Sequence, residues 1–251
     1  MRCAGCACVI ESGLRIVVCS DGCCCQDVPV SRYAVDEQTA RLLVAAGLPV
    51  TAAAHRRAQL PEGPRRLHDA LLRAFVATGT VTDLAALVTA AGLDDAATSD
   101  LLQELAAADL VALDSDGSLT GAFPFSVRPT RHRVELGEGP AVWAMCAIDA
   151  LGMPAMVGRE ASISSSDPIS GTSVEVEVHG DDLRWSPDTA VVALGRSGDG
   201  SIATACCAHI DFYCDTAAAE QALASLNGTL VSVPTARRLG EAVFAGLFTP
   251  A

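Results

Sequence analysis

The sequence has no run of eighteen or more apolar residues, so it offers no obvious membrane-spanning helix. Nor does it have a clean hydrophobic stretch followed by a small-residue cleavage site, because cysteines and Glu11 interrupt the apolar start MRCAGCACVIESGLRIVVCS. Cations are scarce: 17 basic side chains against 30 acids leave a net charge of −13 and a pI near 4.6. Such a balance disfavours partners held by phosphate neutralisation and disfavours an anionic membrane surface. The chain therefore reads as cytoplasmic, with neither nucleic acid nor membrane as a partner. Charged residues make up only 19% of its 251 residues and apolar ones 50%, which fits one large or two modest folded cores rather than a disordered chain.

Cysteine, by contrast, is plentiful and uneven. Seven of the eleven (Cys3, Cys6, Cys8, Cys19, Cys23, Cys24 and Cys25) crowd the start, and Cys146, Cys206, Cys207 and Cys214 lie far downstream. In a reducing compartment, clustered cysteines are more often metal ligands than disulfides. The pattern C-A-G-C-A-C, a strand-like LRIVV and C-S-D-G-C-C-C reads as two knuckles, with Gly5 and Gly22 supplying the turns. Cys3, Cys6, Cys19 and Cys23 form the expected set for a structural zinc. The surplus thiols equally fit a relay that captures a soft ion and passes it on by ligand exchange.

The rest of the chain predicts an α+β protein in four parts: the knuckle at 1–30, a helix and linker at 31–64, a winged-helix-like domain at 65–136, and a C-terminal domain at 137–251. The last is expected to be a mixed or antiparallel sheet with flanking helices. Val35–Ala46 predicts a helix stopped by Gly47, and Pro49, Pro61, Gly63 and Pro64 mark a linker. Helical spacing recurs in Leu67, Leu71, Leu72, Phe75 and Val76, then in Leu84, Leu87 and Val88, then in Leu101, Leu102, Leu105 and Leu110. VALDSDGSLTGAF follows as a hairpin turning at Asp116-Gly117. The third of these helices carries Asp94, Asp95, Asp100, Glu104 and Asp109 nearby and no cation, which argues against insertion into a DNA groove. The basic stretch SVRPTRHRVEL, with Arg128, Arg131, His132 and Arg133, reads as a solvated strand face without assigned chemistry.

Two segments carry chemical promise. Gly139-Pro140 predicts a helix holding Trp143, Cys146 and Asp149 and ending at Gly152 and Pro154, so that Cys146 and Asp149 share a face near its N-terminus. The bland alternative for C-x-x-D is a buried free cysteine and a surface aspartate. Downstream, TSVEVEVHG alternates as a half-buried strand should, and VVALG is expected to continue the same sheet. ATACCAHIDFY reads as a further strand, with Cys207, His209, Asp211 and Tyr213 on one face and Cys206 on the other. Only one of the two adjacent cysteines can then face the site.

The combination W-A-M-C-A-I-D-A-L-x-x-P-A-x-x-G-R-x-A-x-x-S-S, followed some sixty residues later by C-x-H-x-x-F-Y, resembles the bacterial organomercurial lyase (alkylmercury lyase) family. The likeness covers the chain from about Arg65 onward. It implies Cys146 and Cys207 as active cysteines that bind mercury and Asp149 as the catalytic proton donor; His209, Phe212 and Tyr213 select Cys207 over Cys206. Met145 stands where an aromatic residue often precedes the first cysteine, Ala208 where many members have a second cysteine, and Asp167 where a structural cysteine occurs. The implied activity is protonolysis of a carbon–mercury bond, with an organomercurial as substrate, no cofactor required, and small thiols or a mercuric reductase as Hg(II) acceptor in mercuric resistance. The rival reading is a non-catalytic mercury or copper binder, or a thiol-based metal sensor.

Overall fold

The computed structural model describes residues 36–198 and 200–249. The chain opens with α1 (Glu37–Ala45), started by Asp36, whose carboxylate accepts the Thr39 N–H at 3.0 Å. Its Ala40 and Leu43 are buried, so this helix belongs to the core. The stretch expected to be linker is also structured: α2 (Ala53–Ala58) is followed at once by α3 (Glu62–Thr78). Pro61 caps α3 and Pro64 sits in its first turn, where backbone N–H groups have no intrahelical partner, so neither proline breaks it.

Leu67, Leu71, Leu72, Phe75 and Val76 form the buried stripe of α3, as their spacing predicts. Then come α4 (Leu84–Ala90), capped by Asp83, and α5 (Thr98–Ala107), which follows a single tight turn at Asp95–Ala97. The hairpin of β1 (Val111–Leu113) and β2 (Leu119–Ala122) turns through Gly117, whose φ of 83° favours glycine.

The remaining strands of the large sheet are β3 (Phe125–Ser126), β4 (Arg133–Leu136), β5 (Ala141–Ala144), β6 (Ala161–Ser166), β7 (Ser173–His179) and β8 (Asp182–Ser186). Their order is β1-β2-β3-β5-β4-β6-β7-β8, with antiparallel neighbours throughout. The hairpin thus joins the same sheet as the later strands. The expected boundary at 136/137 falls between β4 and β5, which pair in register at Glu135 and Ala141. In β7, Val174, Val176 and Val178 turn inward while Glu175 turns out, the alternation its sequence predicts.

VVALG does not continue this sheet. It forms β9 (Val191–Arg196), the middle strand of a second antiparallel sheet between β10 (Ile210–Tyr213) and β11 (Asn227–Ser232). Helices α6 (Ala147–Val157), α7 (Thr216–Leu223) and α8 (Val233–Phe244) complete the described chain. Nearly all of α6 is buried, consistent with its apolar residues on every side. It meets α8 glycine to glycine: a Cβ at Gly152 would stand 2.7 Å from the Gly240 carbonyl oxygen. That approach holds the helix following Cys146 tightly in the core.

Candidate active site

Cys146 lies at a strand-to-helix junction. The segment expected to begin a helix at Gly139-Pro140 is instead β5, where Val142 pairs with Val134 and Ala144 with Phe125. Trp143 is therefore on a strand. Valine and tryptophan suit a pleated sheet, and two flanking strands supply the hydrogen bonds that decide the matter. Cys146 keeps an extended backbone and caps α6, and its Sγ accepts the Asp149 N–H at 3.5 Å. The helix runs past Pro154 to Val157 and closes on Gly158, whose φ is 67°. Pro154 removes one intrahelical bond without ending a helix packed on all sides.

Cys207 also departs from the expected strand. Ile202–Cys206 and Cys207–His209 form consecutive helical turns, and β10 begins only at Ile210. The small residues of ATACCA lack the β-branched or aromatic bulk that favours a strand, whereas IDFY has it. Strand alternation therefore does not sort the cysteine pair. The helical turn does: Cys206 Sγ donates to the Gly47 carbonyl at 3.5 Å, while Cys207 Sγ donates to Asp149 Oδ2 at 3.8 Å.

Ligand-type atoms of Cys146, Asp149 and Cys207 all lie within 4.8 Å of one another. The three residues are only 1%, 4% and 5% exposed. Two sulfurs and a carboxyl at this spacing could close on one soft ion and move a proton beside it. Burial raises the Asp149 pKa from 3.8 to about 7, against the downward pull of hydrogen bonds from the Cys146 and Cys207 thiols. Cys146 is pushed well above the usual thiol range by burial, then by its contact with Cys207; the bond from the Asp149 N–H opposes this and is outweighed. The helix N-terminus does favour the thiolate, but less than burial disfavours it. At Cys207 the bond to Cys146 lowers the pKa, yet burial and the nearby Asp149 and Cys206 carry it to about 11. The resting site is thus two neutral thiols beside a carboxyl that titrates near neutrality.

The basic stretch contains more than a solvated face. His132 is 2% exposed, with Nδ1 2.9 Å from Ser165 Oγ and Nε2 3.1 Å from Asp211 Oδ1. Arg131 Nε lies 3.1 Å from the same Asp211 oxygen. A signal for this was present: Val134 and Leu136 mark the inward face of β4, and the two-residue period extends it to His132. Asp167 is buried as well and accepts the N–H groups of Ile169, Ser170 and Cys214. The Met145 side chain reaches β2, where a Cβ on Gly121 would stand 2.8 Å from its sulfur. The expected ligands Cys3, Cys6, Cys19 and Cys23 lie outside the described residues.

Comparison with known proteins adds an independent observation. The alkylmercury lyase (MerB) family model matches residues 125–245, a stretch that contains both cysteines and the aspartate. An alkylmercury lyase of Streptomyces lividans is 32% identical over 156 residues, covering 61% of this chain and 72% of the relative. The chain belongs to the alkylmercury lyase family. Other members match over less of their length. The Staphylococcus epidermidis enzyme is 34% identical across 44% of this chain and 51% of its own, and the Bacillus cereus enzyme is 33% identical across 52% and 61%. The chain thus spans about half to three fifths of these two relatives. In fold, it is similar to the crystal structure of the mercury-bound form of MerB2, with a TM-score of 0.62 at 21% identity, covering 76% of this chain and 95% of that one.

Proposed function

We propose that the protein cleaves the carbon–mercury bond of organomercurials by protonolysis, releasing a hydrocarbon and Hg(II). The observation that carries this reading is the buried meeting of two thiols with a carboxyl whose pKa is raised to about 7. Hg(II) is soft and prefers thiolate to oxygen or nitrogen ligands. Cys146 exchanges its proton for R–Hg⁺, displacing the thiol or anion that carried the mercurial in. Cys207 then bonds to mercury and gives its proton to Asp149, along the 3.8 Å contact between them. The second thiolate raises electron density at mercury and makes the bound carbon a better proton acceptor. Asp149 delivers the proton to that carbon, the carbon–mercury bond breaks, and Hg(II) remains between Cys146 and Cys207. Atoms balance: two thiol protons enter, one leaving with the original ligand and one in the hydrocarbon.

Asp149 also favours this reading over a non-catalytic mercury or copper binder, which has no need for a proton donor against its second ligand. A thiol-based sensor reading on DNA fits poorly with the acids of α5 and the segment before it. Small thiols or a mercuric reductase would remove the Hg(II), in a reducing, cytoplasmic setting. The thiols of Cys3–Cys25 would act as a tethered first acceptor or hold a structural zinc. Serine substitutions in the full chain separate those two roles: slower Hg(II) release without external thiol supports the relay, and bound zinc lost on substitution supports the structural site. Truncation to Arg65 is unsuited to this purpose, because it deletes α1 and its core residues.

The activity is tested by incubating purified protein with an aryl mercurial and excess thiol and measuring the arene. Release by the wild type, with loss in Cys146→Ser, is expected. Full cleavage by Asp149→Asn would overturn the proton-donor assignment.

A further inference from the structure

The two halves of the candidate site belong to different sheets. Cys146 follows β5, inside the eight-stranded sheet, whereas Cys207 precedes β10, an outer strand of the three-stranded sheet. β10 pairs with β9 along one edge and, among the described residues, has no strand partner on the other. Its placement against the large sheet therefore depends on side chains, and among the described residues the polar ones are specific. Asp211 in β10 takes a hydrogen bond from His132 Nε2 and forms an ion pair with Arg131 Nε, both from the segment leading into β4. His132 Nδ1 is engaged by Ser165 of β6, and Phe212 packs against the His132 ring at 5.9 Å between centroids. Beyond β10, the Cys214 N–H donates to Asp167, which follows β6.

A carboxylate can only accept, so His132 Nε2 carries a proton toward Asp211. Both imidazole nitrogens are then used, and the ring is held in place by one residue of each sheet. The circuit is short: Cys207 is four residues from Asp211 in the chain, Asp211 binds His132, and β4 after His132 pairs with β5 before Cys146. Satisfied buried networks of this kind rigidify their surroundings, and a partly broken one leaves costly unpaired groups.

Resting on the proposed role of Cys146 and Cys207 as joint ligands of one mercury, we propose that the His132–Asp211–Ser165 network, with Arg131, is a positioning device that sets Cys207 opposite Cys146. His132 touches neither sulfur. It acts through β10, as outer partners of metal ligands act through the ligands they orient.

The test uses the full chain with mercuric chloride and a competing dithiol, followed by the near-ultraviolet absorption of Hg(II)–thiolate bonds and, separately, by turnover. His132→Phe keeps a ring against Phe212 and removes both hydrogen bonds. It is expected to lower Hg(II) retention and kcat by about 10–100-fold, the usual cost of losing an outer partner of a metal ligand. KM should change much less, since first capture needs only one thiol. His132→Gln, which can still span Ser165 and Asp211, should recover most of the loss. The control is Val178→Ala, a buried change on β7, a strand that pairs with β6 and β8 rather than with β10. If His132→Phe and Val178→Ala lower retention and kcat equally at matched Tm, the network is merely structural and the proposal fails. If wild type retains Hg(II) no better than Cys207→Ser, the proposed function itself fails, whatever the His132 variants do.

Discussion

Asp149 and Asp167 are both almost sealed from water, at 4% and 1% exposure, yet their carboxyls move in opposite directions. At Asp149 burial dominates over the hydrogen bonds from two thiols and from the Cys146 backbone, and its pKa rises to about 7. At Asp167 burial also raises the pKa, but backbone N–H groups from Cys214, Ser170 and Ile169 outweigh it and hold the carboxyl below its ordinary range. In the proposed reaction the first carries a proton; the second, held charged, ties a loop and the end of β10. The difference lies in both depth and donors: Asp149 sits deep among apolar neighbours with two thiols beside it, whereas Asp167 lies in a shallower place and collects three backbone amides, which stabilise a carboxylate better than thiols do.

The two sites should respond to pH with opposite sign. A carboxyl whose folded pKa is raised contributes stability that is fully present below its unfolded value and is lost as pH rises through the folded value. For Asp149 that window runs from about 4 to about 7, and the shift corresponds to a loss on the order of 4 kcal/mol. For Asp167 the folded pKa is lowered, so its contribution is present above the unfolded value and lost as pH falls through the folded one.

The largest expected effect comes from removing a sulfur. Cys207→Ala should abolish hydrocarbon release and, by deleting a donor to Asp149, raise the Asp149 pKa further; gas chromatography and carboxyl titration check the two parts. Asp149→Asn should slow cleavage by about 10²–10⁴-fold, the range for loss of a general acid. The same variant should be more stable than wild type at pH 8 and should lose that advantage toward pH 4, as measured by denaturant melts. Asp167→Ala strands three amide donors, so it should cost about 1–3 kcal/mol at neutral pH. A melt in which it costs nothing would remove the contrast between the aspartates. The smallest effect is expected from Cys206→Ser, which keeps a donor toward Gly47 and should leave the rate of hydrocarbon release unchanged.

Much of this was legible in the residues. The stripe of α3, the alternation of β7 and the turn at Gly117 follow from local periodicity and glycine conformation, which need no knowledge of distant partners. The C-x-x-D spacing reads correctly as proximity even though Cys146 is the cap of α6 rather than a residue within it, because a cap and the third helical residue also meet. What local pattern misses is decided at a distance. Ala141–Ala144 became a strand because β3 and β4 flank it, and VVALG entered a second sheet through pairing with residues downstream. The prolines at 49, 61 and 64 suggested a spacer, but two of them sit at the start of a helix where proline is harmless. His132 was hidden by its arginine neighbours, and its partner Asp211 lies 79 residues away.

The account turns on the protonation state of one buried carboxyl, which infrared difference spectroscopy between wild type and Asp149→Asn reads directly. A protonated carboxylic C=O band in wild type at pH 6, absent from the variant and fading as pH rises through about 7, is the expected result. A carboxylate band at Asp149 throughout the range from pH 5 upward would contradict the account, because a carboxyl of ordinary acidity would be too weak a base to take the Cys207 proton and hold it for the carbon.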